Sequence, residues 1–297
     1  MNEGVAPGWQ GRLAATSRLI GSIPPTAQVL VGIVSVQVGA ALAKQLFAAA
    51  GATGVVALRL VFAALILLAI WRPSLRVTRR TVGVVAGYGA VLAAMNILFY
   101  LALERIPLGI AVTVEFLGPM MLALAGSRRW LDAVWAVLAG AGVLLLARGG
   151  DAELSLLGLF FAFAAGVCWA GYILLGAALG KQSADGSGLA LAMGVAGLIA
   201  LPVGVVGAGP DLLSPVVLVV GLGVALLSSV IPYTLELEAL RKIPPRVFGI
   251  LMSLEPAVAA VAGVVVLGEV LVVDQWVAIC CVVGASVGAT RFSRPVV

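Results

Sequence analysis

Ala102-Leu103-Glu104-Arg105-Ile106-Pro107 leads into Phe116-Leu117-Gly118-Pro119 and then Ala125-Gly126. An echo follows 137 residues later, where Ala239-Leu240-Arg241-Lys242-Ile243-Pro244 leads into Ser253-Leu254-Glu255-Pro256 and then Ala262-Gly263, with no gap between the matched blocks. Beyond them the register shifts by four, and Ser127 to Trp135 matches Gly268 to Trp276 in spacing. The chain therefore carries one structural unit twice, and a duplicated apolar unit is the mark of a membrane transport fold.

Around these blocks the composition is that of a lipid-solvated chain. Of 297 residues 62% are hydrophobic and 10% charged, at a mean hydropathy of +1.18. An ordinary soluble domain carries about 25% charged residues, so this chain lacks the charge to cover a water-facing surface. Apolar runs mark helices at roughly 27–50, 54–71, 81–103, 108–126, 130–147, 154–179, 188–207, 214–239, 245–267 and 271–290. The expected fold is all-α and integral to the membrane, with ten transmembrane helices in two inverted five-helix repeats, 27–150 and 151–291. Short tails, 1–26 and 292–297, flank them. Five is odd, so the second copy enters the membrane from the opposite side. No stretch is left over for a separate catalytic module.

Lys and Arg segregate between alternating connections. One set holds Arg12, Arg18, Arg72, Arg76, Arg79, Arg80, Arg128, Arg129, Lys181, Arg241, Lys242, Arg246, Arg291 and Arg294, whereas the other holds Arg105 and Arg148. The positive-inside rule then places both termini of the multi-pass chain in the cytoplasm. The formal charge of +5 is thereby a record of topology, and no nucleic-acid partner is expected. The N-terminal tail has no short apolar core ending in a cleavage site, so the first span is expected to be retained. Cys168, Cys280 and Cys281 lie in apolar stretches without metal-ligand spacing, and histidine is absent, so no metal or other cofactor is expected. Gly284-Ala285-Ser286-Val287-Gly288 fits a serine-nucleophile pattern, but it lies inside a span and no histidine is available as its base. The same spacing suits helix packing, as do Gly83 and Gly87.

The informative residues are the few ionisable groups within spans. An Asp, Lys or Arg at a helix centre costs about 2.5–3.5 kcal/mol on insertion scales, and Glu is in the same class. Glu115 lies about two turns into the fourth span and Glu255 near the middle of the ninth. In the repeat frame Glu255 matches Gly118, three residues from Glu115, so both carboxylates are expected to face one cavity. Such a glutamate can take up and release a proton, or it can form a fixed pair with Lys44 or Arg59, which lie at similar depth. Arg59 suits an ion pair or a carboxylate clamp equally, and Lys44 either joins the site or snorkels to the outer interface. Pro119 and Pro256, at related positions in the two repeats, are expected to kink their helices and serve gating. Gln37, Asn96, Tyr100, Trp169, Tyr172 and Tyr233 are the polar and aromatic candidates for the lining. Glu236 and Glu238 are expected as anchors at the basic interface.

The chain resembles the threonine/homoserine exporter branch of the drug/metabolite transporter superfamily, the EamA-type permeases. The resemblance rests on Gly39-Ala40-Ala41-Leu42-Ala43-Lys44, Ala57-Leu58-Arg59-Leu60, Ile106 to Val112 through Glu115 to Pro119, and Ser127-Arg128-Arg129. In the second half it rests on Cys168-Trp169-Ala170, Tyr172-Ile173-Leu174, Pro232-Tyr233 with Leu235-Glu236, Met252 to Pro256, and Leu267-Gly268-Glu269. It implies ten helices around a central cavity in the bacterial inner membrane and export of small amino acids in exchange for protons. The partners implied are a small-molecule amino-acid substrate, protons and the lipid bilayer, the chain acting as a monomer or homodimer. A channel filter is absent from the sequence. Carriage of another metabolite or drug on the same scaffold is the alternative. A zwitterion needs a cationic site for its carboxylate and an anionic site for its ammonium, and Arg59, Lys44, Glu115 and Glu255 supply both.

Overall fold

In a computed structural model the described residues are 23–73, 79–125, 130–148, 155–180, 186–240 and 242–292, and no strand occurs among them. The N-terminal tail through residue 22, the repeat boundary at 150/151 and residues 293–297 lie outside them. The first expected half comprises α1 (Pro25–Gln45), α2 (Phe47–Trp71), α3 (Arg79–Leu103), α4 (Leu108–Glu115), α5 (Leu117–Ala125) and α6 (Trp130–Arg148). The second comprises α7 (Leu156–Gly180), α8 (Ser187–Ala208), α9 (Pro215–Ala225), α10 (Ile231–Leu240), α11 (Pro245–Met252), α12 (Glu255–Leu267) and α13 (Val273–Phe292).

Among the described residues, eight helical segments are long and apolar enough to cross a membrane, and the expected fourth and fifth spans coincide with the shorter apolar helices Leu108–Leu122 and Ala133–Gly142. The polarity of the bundle is that of a lipid-facing protein. Leu157, Phe160, Leu198, Val206 and Val265 stand exposed, whereas alanines crowd the interior. Small interior residues let backbones approach where lipid offers no hydrophobic drive to association. Gly288 carries this out against the Trp135 indole, while Gly83 and Gly284 face open space and make no such contact.

Several helices are interrupted. The first connection, expected between residues 50 and 54, is a turn at Leu46 followed by a helix that bends at Gly51, whose φ of 63° favours glycine. The prolines act one turn earlier than expected. Pro119 has no N–H to offer the Glu115 carbonyl and its ring crowds that group, so the helix breaks at Phe116, between α4 and α5. The break between α11 and α12 falls at Ser253 and Leu254, ahead of Pro256. Phe116 (φ −64°, ψ −16°) and Ser253 (φ −62°, ψ −13°) stand at equivalent repeat positions, as do Pro107 (φ −58°, ψ 147°) and Pro244 (φ −57°, ψ 141°) ahead of α4 and α11.

Helix neighbours follow the same duplication. α3 packs on α7 and α8, while α1 packs on α10 and α2 on α9; α4 packs on α7 as α11 does on α1, and α5 packs on α7 as α12 does on α1. Exchanging the two halves interconverts these pairs. It leaves the pairs α2–α8 and α6–α13 in place.

Candidate functional site

Arg59 is fixed by the helix opposite it. Between α9 and α10 the segment Leu226–Val230 forms a π-helical turn, which widens the backbone and leaves carbonyls exposed to other donors. Ser35 Oγ donates to the Leu227 carbonyl at 2.7 Å, and Arg59 Nη2 to the Ser228 carbonyl at 2.8 Å. Arg59 Nε donates to Ser229 Oγ at 3.1 Å and Nη1 to Tyr100 Oη at 3.3 Å. Three of the five guanidinium N–H groups are so used, leaving one on each terminal nitrogen. That is the fork a carboxylate requires.

A cavity of about 830 Å³ lies beside this guanidinium. It is lined by Gln37, Arg59, Asn96, Glu115, Trp169, Tyr172, Tyr233 and Glu255, and Pro119 also touches it. The expected convergence of the two glutamates is thus present in the geometry. No ion pair joins Glu115 to Arg59 or Lys44 among the described residues. Glu255 is 5% exposed, and its Oε2 has no hydrogen-bond partner; neither has Gln37 Oε1 or Ser228 Oγ. Unpartnered polar atoms of this kind cost stability unless something else fills the site. Asn96 donates to the Leu92 carbonyl of its own helix at 2.8 Å, Trp169 meets Phe116 edge-on at 5.5 Å, and Tyr172 stacks on Tyr88 at 4.8 Å.

Close backbone contact positions Glu115. A Cβ on Gly118 would overlap the Gly166 carbonyl, and one on Gly166 would overlap the carbonyl of Glu115, so α7 approaches the α4–α5 break directly. On the other side of the cavity Ser253 Oγ, at the matching break, lies 2.7 Å from Ser286 Oγ. The serine of the nucleophile-like pattern is therefore a packing partner of a helix break.

Three expectations need correction. Lys44 neither lines the cavity nor snorkels: its Nζ lies 2.7 Å from Glu269 Oε1 and donates to the Ile106 carbonyl at 2.9 Å. A cation ending beside a carboxylate and a free carbonyl has no reason to seek the interface. Tyr100 is fully buried behind the lining, where its hydroxyl holds Arg59 and its ring lies 5.6 Å from the guanidinium. Pro256, expected as a kink and gating residue, is buried at the start of α12, just after the break at Ser253 and Leu254. Glu236, expected as an anchor, lines the cavity instead, as do Tyr88, Ser228 and Ser286. Glu238 pairs with Lys242 at 2.9 Å. The i, i+3 spacing of Tyr233 and Glu236 could have placed both on one face, but nothing in Leu226–Val230 announces a π-turn.

The two ends of the bundle differ. At the end where α1 begins, the cavity reaches Tyr88, Gly180, Gly188, Leu240, Phe248 and Thr290. At the opposite end Leu46, Ala50, Leu103, Ile106 and Leu108 are buried. There Glu269 Oε2 also accepts the Leu108 N–H at 2.9 Å, capping the N-terminus of α4 while its other oxygen holds Lys44. Gln45 Nε2 donates to the Val266 carbonyl at 3.1 Å. One carboxylate ties the end of α1, the start of α4 and the connection after α12.

Residues 156–291 match the EamA-like transporter family. The threonine/homoserine exporter RhtA of Salmonella typhimurium (strain SL1344) is 45% identical over 273 residues, covering 91% of this chain and 92% of that protein. The same exporter from Escherichia coli (strain K12) matches with the same identity and coverage. One solved crystal structure of a protein shares the fold at a TM-score of 0.60 and 18% identity, over 90% of this chain and 98% of that one.

Proposed function

The chain belongs to the EamA-like transporter family, with threonine/homoserine exporters among its relatives, and on that premise we propose that it exports threonine, homoserine or similarly small neutral amino acids by alternating access coupled to proton entry. It is a transporter and not an enzyme. The observation that carries the reading is the Arg59 fork facing a cavity that also holds Glu115 and Glu255. The guanidinium takes the substrate carboxylate, and the two glutamates take its ammonium or a proton in turn. Proton and substrate then compete for the same acidic groups, which couples their opposite movements.

The ten-pass inverted layout is supported by the matched helix breaks and by the helix pairs that interchange when the halves are exchanged. Two similar halves can trade conformations, giving two forms of nearly equal energy around a site between them. The distribution of Lys and Arg supports cytoplasmic termini, and in that orientation the cavity opens to the cytoplasm while the Lys44–Glu269 end closes the outer face. Pro119 and Pro256 supply the bending points next to the site.

Counterflow of radiolabelled threonine in proteoliposomes tests the function directly. Exchange accelerated by internal threonine or homoserine is the expected result. Absence of counterflow for every small neutral amino acid would return the assignment to a general metabolite exporter.

A further inference from the structure

The cavity holds more carboxylates than a neutral amino acid needs. Arg59 faces Glu115, Glu236 and Glu255, and a zwitterion brings one negative and one positive group. Other nearby cations are engaged elsewhere: Lys44 with Glu269, Arg105 with Glu104 at 2.7 Å, and Lys242 with Glu238. Glu236 itself has no ion-pair or hydrogen-bond partner among the described residues. It is not an isolated acidic feature, because buried polar atoms of Glu255, Gln37 and Ser228 in the same lining also lack partners.

The third carboxylate is carried farther along the helix that holds the guanidinium. Arg59 is hydrogen-bonded to Ser229, and Glu236 follows seven residues later, two turns along the same helix and about 10 Å along its axis. An extended aliphatic chain advances roughly 1.25 Å per bond, and a charge-assisted hydrogen bond adds about 2.8 Å at each end. A carboxylate and a terminal ammonium four or five bonds apart therefore bridge about 10–12 Å between their partners. 2,4-Diaminobutyrate and ornithine have this length.

We propose that the cavity also exports small diamino acids, with Arg59 holding the carboxylate, Glu115 and Glu255 facing the α-ammonium, and Glu236 holding the side-chain ammonium. This rests on the amino-acid reading above and extends it to a cationic class. A net charge of +1 offsets part of the carboxylate surplus, whereas aspartate adds a further negative charge to it. In a low-dielectric site that difference is decisive.

Proteoliposomes loaded with 2,4-diaminobutyrate, ornithine, lysine, threonine or aspartate test this by counterflow of labelled threonine and of labelled ornithine. Diaminobutyrate and ornithine should each drive exchange within about tenfold of threonine, and aspartate should drive none. In Glu236→Gln the ornithine-to-threonine ratio of initial rates should fall at least tenfold. Glu236→Asp withdraws the carboxylate by one methylene and should move the preference from diaminobutyrate toward ornithine. Threonine exchange without diamino-acid exchange in the wild-type protein overturns the proposal and leaves the neutral amino-acid reading standing. An equal fall of both rates in Glu236→Gln also overturns it, since Glu236 then serves every substrate. Absence of exchange for every amino acid is a separate result that overturns both readings.

Discussion

The two ends of the bundle are built from duplicated sequence and closed by different chemistry. Gly39-Ala40-Ala41-Leu42-Ala43-Lys44 recurs 137 residues later as Gly176-Ala177-Ala178-Leu179-Gly180-Lys181. The residue equivalent to Glu269, in the register that matches Gly268 to Ser127, is Arg128. At the end opposite the start of α1, Lys44 meets a carboxylate that also caps α4. The equivalent pair in sequence is Lys181 and Arg128, two cations that lie outside the described residues. Like charges cannot form the tie that unlike charges form.

The largest expected effect comes from making the ends alike. Glu269→Arg removes a charged hydrogen-bond pair worth about 1.5–3 kcal/mol and adds repulsion. With Cys168, Cys280 and Cys281 replaced by serine and a single cysteine at Gln37, labelling by a membrane-impermeant thiol reagent from outside should rise roughly 100-fold. Glu269→Gln should give about a tenth of that rise, and the exchange Lys44→Glu with Glu269→Lys should reverse most of it. Unchanged labelling would remove the charged tie from the account of the sealed end.

Between the two ends lie the carboxylates that, on the proposed alternating access, serve both conformations. Glu115→Gln and Glu255→Gln keep the shape of the side chain but cannot release a proton, so export driven by a pH gradient should fall at least tenfold in each. Wild-type coupling in both variants would assign these residues to structure.

A smaller effect should follow from supplying the missing partner at the open end. Arg128→Glu places a carboxylate where the repeat predicts the counterpart of Glu269. Labelling of the Gln37 cysteine from the cytoplasmic side of inverted vesicles should then slow by about three- to tenfold, the scale of one partly exposed ion pair. No change would mean that the repeat relationship does not extend to the closing contacts.

The smallest effect concerns packing. Gly166→Ala forces a methyl against the Glu115 carbonyl and should cost about 1–3 kcal/mol, lowering Tm by a few degrees, whereas Gly284→Ala meets open space and should leave Tm unchanged within error. Equal shifts in the two variants would remove the α7 contact as a determinant of the site.

Much of this organisation is legible in the sequence because membrane folds reduce to apolar length, charge asymmetry and repetition. The carboxylates could be placed on one cavity because Glu255 aligns three residues from Glu115 in the repeat frame. What escaped reading depends on contacts between distant segments. Lys44 and Glu269 are 225 residues apart, and no local pattern says which carboxylate a membrane lysine will meet. Glu236 was obscured by its proximity to Glu238 and to the basic connection after α10, which suggested one shared interfacial role for two residues that face different surroundings. The π-turn at Leu226–Val230 has no sequence signature, so the carbonyl that orients Arg59 was invisible. The prolines were read at the right turns of their helices, but their steric effect falls on the preceding turn and sets the breaks there.

The central claim is that the two ends open reciprocally about one site. Spin labels at Ala49 and Val270 across the outer end, and at Gly180 and Val247 across the inner end, permit double electron–electron resonance distances to be measured in one lipid preparation. On adding saturating threonine, the account predicts that the outer distance distribution gains a longer component while the inner one gains a shorter component, in matching proportion. Distances that lengthen at both ends together, or that do not respond at either, would contradict it.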